Sequence, residues 1–370
     1  MPAELVHEGV SFRILRGCGY RRNVSFQRIR DHRQIAREFA SRARTETRTP
    51  DVVLASYPPI ELAAEAVNYA RAARRPVVVD VRDLWPDIFA DLLPGPLRAV
   101  GHAALWRMHG QAAAALSGAT AIWGITDGFV DWGLQHTARE RGPNDLAFPL
   151  SYSSETPSAE LEARGRASLA SRGLLAGPDI FQITFAGSLG RQFDFAPVLE
   201  AARRLRDRPV RFVCAGSGES EDSLRRAAND LPNLVFPGWL DRAELFVLLS
   251  ESSVGLAPYA NTWDFQASVP NKAIEYLSFG LPIVSSLDGE LARLLQEHKC
   301  GLTYRRDVEG DLARTIERVL EDPTLRAGMS ARGRQLYADR FTGSVVYGSM
   351  VHALKDLTTT PAALPLTLES

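Results

Sequence analysis

The chain has 370 residues, 45% of them hydrophobic and 24% charged, and a formal net charge of -1. That is enough chain for two domains with separate cores, and so even a charge balance excludes nucleic acid as the main partner. Cys18, Cys214 and Cys300 are scattered and odd in number, which argues against a disulfide framework or a cysteine zinc site. The seven histidines show no metal-ligand spacing; His102 and His109 share a helical face without a third partner, so no metal is expected. No apolar run approaches the roughly 20 residues of a membrane span and no signal peptide opens the chain, so a cytoplasmic protein is expected.

Ser11 to Leu15 reads as a strand, with no strand–loop–helix unit before it. An arginine-rich segment from Arg21 to Arg48 follows, with a helix over Phe26 to Ala43. Its default is a solvated basic face, with contact to an anionic acceptor or to the inner membrane surface as the alternative. Regular alternation then sets in: a strand at 51–55, a helix to about Arg74, and a second buried strand from Val77. That strand ends in Asp80-Val81-Arg82-Asp83-Leu84-Trp85-Pro86-Asp87. Ligands of open parallel sheets sit outside the carboxyl ends of strands, so carboxylates, an arginine and a tryptophan here suit a polar substrate. The competing expectation is a surface pair of Arg82 with Asp83 or Asp87. A helix over 97–116, a strand at 121–123, a helix opened by Thr126-Asp127 and a last strand at 147–150 complete this half.

The polar, proline-bearing stretch 151–158 reads as an interdomain linker, and a helix over 159–171 precedes renewed alternation. A strand at 181–186 exits into Gly187-Ser188-Leu189-Gly190-Arg191, where glycines let backbone approach a ligand and Arg191 can pair with phosphate. A strand at 210–215 exits into Gly216-Ser217-Gly218, which lacks the third glycine of a dinucleotide fingerprint. A strand at 233–236 leaves through Gly238-Trp239-Leu240, and Asp241 with Glu244 forms a D-x-x-E capping pattern.

After a strand at 254–257 and a loop over 259–269 comes SVPNKAIEYLSFGLPIVSS, residues 268–286. Asn271 is the expected N-cap, Ala273, Ile274, Leu277 and Phe279 give one apolar face, and Gly280 with Pro282 stops the helix. Lys272 lies in the first turn, where the helix start already favours an anion, and Glu275 lies one turn deeper on the same face. Such a pair can hold a phosphate and, beside it, a hydroxyl-rich sugar. It can equally be an ordinary solvated pair contributing about 0.2–0.5 kcal/mol. Lysine is rare here, three among 43 basic residues, which favours a compact point charge wanted at that position.

Two alternating halves with a linker and a closing helix resemble the GT-B fold: α/β, with two Rossmann-like doubly wound parallel-sheet domains. The first domain reads as lacking its opening strand and glycine-rich loop. SVPNKAIEYLSFGLPIV resembles the donor segment of retaining glycosyltransferase family 4, in particular the bacterial branch with a P-[NS]-K-x-x-E-Y pattern associated with surface-polysaccharide and O-antigen assembly. GSLG at 187–190, APY at 257–259 and VRDLWPD at 81–87 are similar to that branch too, over about residues 50 to 340. The resemblance implies an acceptor-side domain over 1–155, a donor domain over 175–340, a helix at 341–357 packing back on the first domain, and a flexible tail at 358–370.

It further implies sugar transfer from a nucleotide diphosphate donor, a UDP-sugar being favoured, to a saccharide or lipid-linked hydroxyl acceptor, with no cofactor and no metal. Lys272 and Arg191 would neutralise the diphosphate, Gly187 and Ser188 line it, and Asn271 start the helix that holds it. Glu275 would bind the ribose, the Trp239-Leu240 backbone flank the base, and Arg82-Asp83 lie where relatives carry His-Asp beside the reacting sugar. One departure is plain: the first of the family's two glutamates falls on Ala267, with Asp264 as a substitute. The rival readings are a degenerate nucleotide-binding or interaction subunit and a GT-B-fold nucleotide-sugar epimerase.

Overall fold

The computed structural model describes residues 4–21, 25–91, 101, 103, 105–153, 155–177 and 179–359. They form two compact units, Met1–Phe148 with Ser349–Ser370, and Pro149–Gly348.

In the first unit, β1 (Glu4–His7) and β2 (Val10–Arg13) make an antiparallel hairpin separate from the main sheet, with β2 exposed along its length. The main sheet is parallel in the order β3 (Val53–Tyr57), β4 (Val77–Val81) and β5 (Ala121–Gly124). β4 is buried at all of its positions, as a central strand covered on both faces must be. The stretch expected as a strand at 147–150 pairs only at one point, a parallel bridge from Ala147 to Gly124. Pro149 has no N–H to carry a ladder further. The helix expected over 97–116 is described as Trp106–Gly118; residues 97–100, 102 and 104 of that expectation lie outside the described residues.

The second unit holds a six-stranded sheet, described in space as β8-β7-β6-β9-β10-β11. The strands are β6 (Phe181–Ala186), β7 (Val210–Ala215), β8 (Leu234–Gly238), β9 (Val254–Ala257), β10 (Ile283–Ser285) and β11 (Gly301–Thr303). All pairs are parallel, so within the unit the order is third, second, first, fourth, fifth, sixth. This is the doubly wound arrangement whose direction of winding reverses between its first and fourth strands, here β6 and β9. Ile183, Phe185, Phe212, Leu256, Ile274 and Leu277 sit in one continuous core. Each such fully buried side chain contributes about 1.5–3 kcal/mol relative to exposure.

The expected linker is part of this unit. The Tyr152 N–H donates to the Phe341 carbonyl at 3.2 Å, and the Tyr337 hydroxyl donates to the Tyr152 carbonyl at 2.7 Å. Helix Ala159–Ser171 belongs here as well, capped by Ser158. The closing helix spans Gly343–Thr359, of which the residues from Ser349 onward group with the first unit. No helix among the described residues is long and apolar enough to cross a membrane.

Candidate donor site

Helix Asn271–Ser278 begins at the residue expected as its cap, one position earlier than predicted. Pro270 is the N-cap, extended at φ -65 and ψ 150, and Asn271 is already the first helical residue, exposed and making no capping bond from its side chain. Proline fixes the entry angle without needing the side-chain acceptor that asparagine would offer. At the other end Gly280 takes φ +66, its N–H donates to Leu277 and the Leu281 N–H to Tyr276, both at 2.9 Å. This double bond pattern closes the helix as the glycine predicts. Ala273, Ile274 and Leu277 are fully buried, as expected from their spacing. Tyr276 joins them: its hydroxyl accepts from the Ala186 N–H and donates to the Leu256 carbonyl, each at 3.2 Å. One side chain thus ties the ends of β6 and β9 together at the point of reversal.

The first turn delivers Lys272 to the same place. Its ammonium donates to the Ala186 carbonyl and stands 5.0 Å from the Phe185 ring centre and 5.7 Å from that of Phe193. Those rings belong to a cluster with Phe195, Tyr259 and Phe265. Aromatic faces stabilise a poorly hydrated cation by about 0.5–2 kcal/mol. Burial lowers the Lys272 pKa, and Glu275 opposes that shift. Burial raises the Glu275 pKa, against the Tyr152 hydroxyl and the Lys272 ammonium. Both groups are therefore held partly out of water and electrostatically coupled, unlike a solvated helical pair.

The loops beside Lys272 are made of backbone. Gly187 has φ +150 and Gly216 φ +130. A Cβ on Gly187 would overlap the Lys272 ammonium, and one on Gly216 would overlap the Gly187 carbonyl. The loops are joined by N–H donation from Gly187 to Ala215 at 2.8 Å and from Leu189 to Ser217 at 2.9 Å. Between them and the end of β8 lies a cavity of about 300 Å³, bordered by Gly187, Ser188, Gly216, Ser217, Trp239 and Leu240. Leu240 is buried, whereas Trp239 is 73% exposed beside this cavity. An indole left open next to a slot is suited to stacking against a flat ring.

The structure therefore brings Lys272, Glu275, Gly187, Ser188, Trp239 and Leu240 to one end of one sheet. Arg191 is 87% exposed in its side chain and lies 3.3 Å from Glu219 of the neighbouring loop, so it belongs to the rim. Asp264 heads the short helix Trp263–Gln266, partly buried, and Ala267 follows it as the C-cap. No local pattern pointed to Tyr152, whose hydroxyl donates to Glu275 Oε1 at 2.9 Å across 123 positions of chain.

In the first unit the expected pairing of Arg82 is corrected. Its Nε donates to Asp80 at 2.6 Å, not to Asp83 or Asp87, because β4 runs to Val81 and positions 80 and 82 share one face. Asp80 is buried, its pKa raised by that burial against the opposing arginine. Asp83 accepts from the Leu84 N–H at 3.0 Å and from the Trp85 indole at 3.1 Å. Arg82 and Asp83 thus hold their own turn together.

Two parallel α/β units, the second doubly wound with a polar site at the carboxyl ends of its strands, define a GT-B-type protein. Comparisons agree. Residues 180–322 match the family model described as glycosyl transferases group 1. TuaH of Bacillus subtilis (strain 168), named for teichuronic acid biosynthesis as a glycosyltransferase, is 27% identical over 115 residues, 31% of this chain and 29% of TuaH. LpsE of Rhizobium meliloti (strain 1021), a lipopolysaccharide core biosynthesis glycosyltransferase, is 26% identical over 174 residues, 45% of this chain and 48% of LpsE. The alignments span about half the length of these relatives or less. The crystal structure of Anabaena HepE in complex with UDP superimposes with a TM-score of 0.65 at 14% identity, covering 87% of this chain and 82% of HepE.

Proposed function

We propose that the protein is a retaining glycosyltransferase of family 4 that moves a sugar from a nucleotide diphosphate donor, UDP-linked by preference, to a hydroxyl of a lipid-linked or surface-polysaccharide precursor. The observation that carries this reading is the placement of Lys272 and Glu275 on one helix, partly buried, with Lys272 beside two loops whose Gly187 and Gly216 leave no room for a side chain. A diphosphate over Gly187 and Ser188 meets the Lys272 ammonium and the helix start, which stabilise negative charge as the sugar departs. Arg191 then swings from Glu219 to complete the neutralisation. Glu275, aimed by Tyr152, accepts from the ribose hydroxyls, and Trp239 covers the base. The names of TuaH and LpsE support a saccharide acceptor, and the UDP bound in HepE supports the donor class. A lipid-linked acceptor would bring the protein to the cytoplasmic face of a membrane.

Ala267 in place of a glutamate, and Arg82 committed to Asp80, favour a second reading, a nucleotide-binding protein without transfer activity. Calorimetry with UDP, GDP and ADP, followed by incubation of the radiolabelled UDP-sugar with lipid-linked saccharide extracts, separates the two. Binding with labelled product supports transfer, binding alone supports the second reading, and no nucleotide binding removes both. Conversion of donor in the absence of acceptor would identify an epimerase instead.

A further inference from the structure

His102, paired with His109 by spacing, lies outside the described residues; His109 stands instead in a cluster with Asp87 and His136. Asp87 opens the short helix Asp87–Asp91 after β4, His109 lies on helix Trp106–Gly118, and His136 caps the carboxyl end of helix Asp127–Gln135. All three are partly buried, and one ligand atom from each lies within 4.8 Å of the other two. His109 Nδ1 stands 3.6 Å from Asp87 Oδ1, and His136 Nε2 stands 3.9 Å from Oδ2. The two imidazole planes are within 4° of parallel.

Trp132 sets the arrangement from behind. Its indole N–H donates to Asp87 Oδ2 at 2.7 Å, and its carbonyl lies 2.9 Å from His136 Nδ1. A carbonyl can only accept, so Nδ1 is the donor there and Nε2 is the nitrogen left to coordinate, facing the carboxylate across a gap too wide for a hydrogen bond. A cation placed between them would join the two. Bonds of about 2.0–2.2 Å from zinc to nitrogen and oxygen put neighbouring ligand atoms about 3.4 Å apart in a tetrahedral shell, so the three ligand atoms, which lie within 4.8 Å of one another, would draw together on binding. Two imidazoles and one carboxylate select a divalent transition ion over calcium or magnesium.

We propose that Asp87, His109 and His136 bind a divalent transition ion of the zinc class, joining the exit of β4 to two helices of the first unit, with Trp132 as the residue that orients two of the three ligands. The fourth position is left to water. The site lies within the first unit and is independent of the donor reading above.

The test uses the full chain, freed of metal by chelator and dialysis. It is titrated with Co²⁺ for its visible absorption and with Zn²⁺ in a calorimeter. One equivalent should bind saturably; His109→Gln and His136→Gln should each weaken it by more than about 100-fold, and Trp132→Phe by about 10–100-fold. Cys18→Ser, which removes the exposed thiol, should leave the affinity unchanged. X-ray absorption of the zinc-loaded wild type reads the ligands directly even if a variant fails to fold, and two imidazoles with oxygen are expected. Absence of saturable binding, an affinity indifferent to His136→Gln, or a shell containing sulfur or no imidazole would each overturn the site.

Discussion

The strand ends of the two units carry polar residues in opposite ways. At the exit of β4, Arg82 is bound to Asp80 and Asp83 caps its own turn. At the exits of β6 and β7 the loops are glycine-rich, and a charge comes from a different element, helix Asn271–Ser278. Side chains that satisfy one another make a stable turn but leave little for a ligand. Loops of glycine and small residues leave room, and a charge brought in from behind keeps its electrostatic capacity. The second arrangement is the one that costs burial of Lys272 and Glu275, which is why their pKa values move.

The largest effect that would test this contrast is expected at the charge itself. Lys272→Ala should lower transfer by about 10²–10³-fold in initial-rate assays while leaving the melting temperature near that of the wild type. The mirror experiment, Arg82→Ala, should disturb stability instead, because it leaves Asp80 buried without its cation, at a cost of about 3–5 kcal/mol in denaturant unfolding. If both substitutions affected only turnover, the distinction between the two strand ends would fail.

Gly187→Ala keeps every charge but places a methyl group against the Lys272 ammonium. A displacement on the order of 1 Å costs about 10²-fold in rate, so this variant should approach Lys272→Ala in turnover, and a rate close to wild type would show that the loop has slack. Tyr152→Phe removes one hydrogen bond to a carboxylate, worth about 1.5–3 kcal/mol. It should weaken UDP binding by calorimetry while narrowing the preference for UDP over its 2′-deoxy counterpart. Arg191→Ala should be the mildest of the series for the fold, since exposed pairs contribute about 0–1 kcal/mol; only its effect on UDP affinity, with stability unchanged, would report a role on the rim.

Acidity sharpens the same comparison. The Lys272 pKa is lowered by burial, so its charge is lost, as pH rises, earlier than from an ordinary lysine. UDP affinity should therefore decline on the alkaline side, and Lys272→Arg should move that decline to higher pH. For folding the sign is reversed. A buried ammonium whose pKa is depressed costs stability at neutral pH, and that cost shrinks as pH climbs from the lowered value toward the ordinary one.

The residues of the second unit were largely legible because its signals are local. The stop at Gly280 and the capping box of Asp241 with Glu244 are each written within a few positions, and both are present. The parallel sheet followed from strands alternating with helices. What escaped was set by long-range packing. Tyr152 lay in a polar, proline-bearing stretch that reads as linker, and its partner is 123 positions away. The aromatic floor under Lys272 draws on residues from 185 to 265, none of them adjacent to it in sequence. Arg82 was matched forward to Asp83 or Asp87 because the strand was expected to end earlier; once it continues to Val81, alternation points the arginine back to Asp80.

Ala186 is gripped twice by the same helix, its N–H by the Tyr276 hydroxyl and its carbonyl by the Lys272 ammonium. The Ala186 amide should be among the slowest in the protein to exchange its hydrogen, even without nucleotide, and the floor of the slot offers nothing to a breeder of new specificities. A mutant library seeking other donors would do better to leave 186, 187 and 216 untouched and diversify the open rim around Trp239.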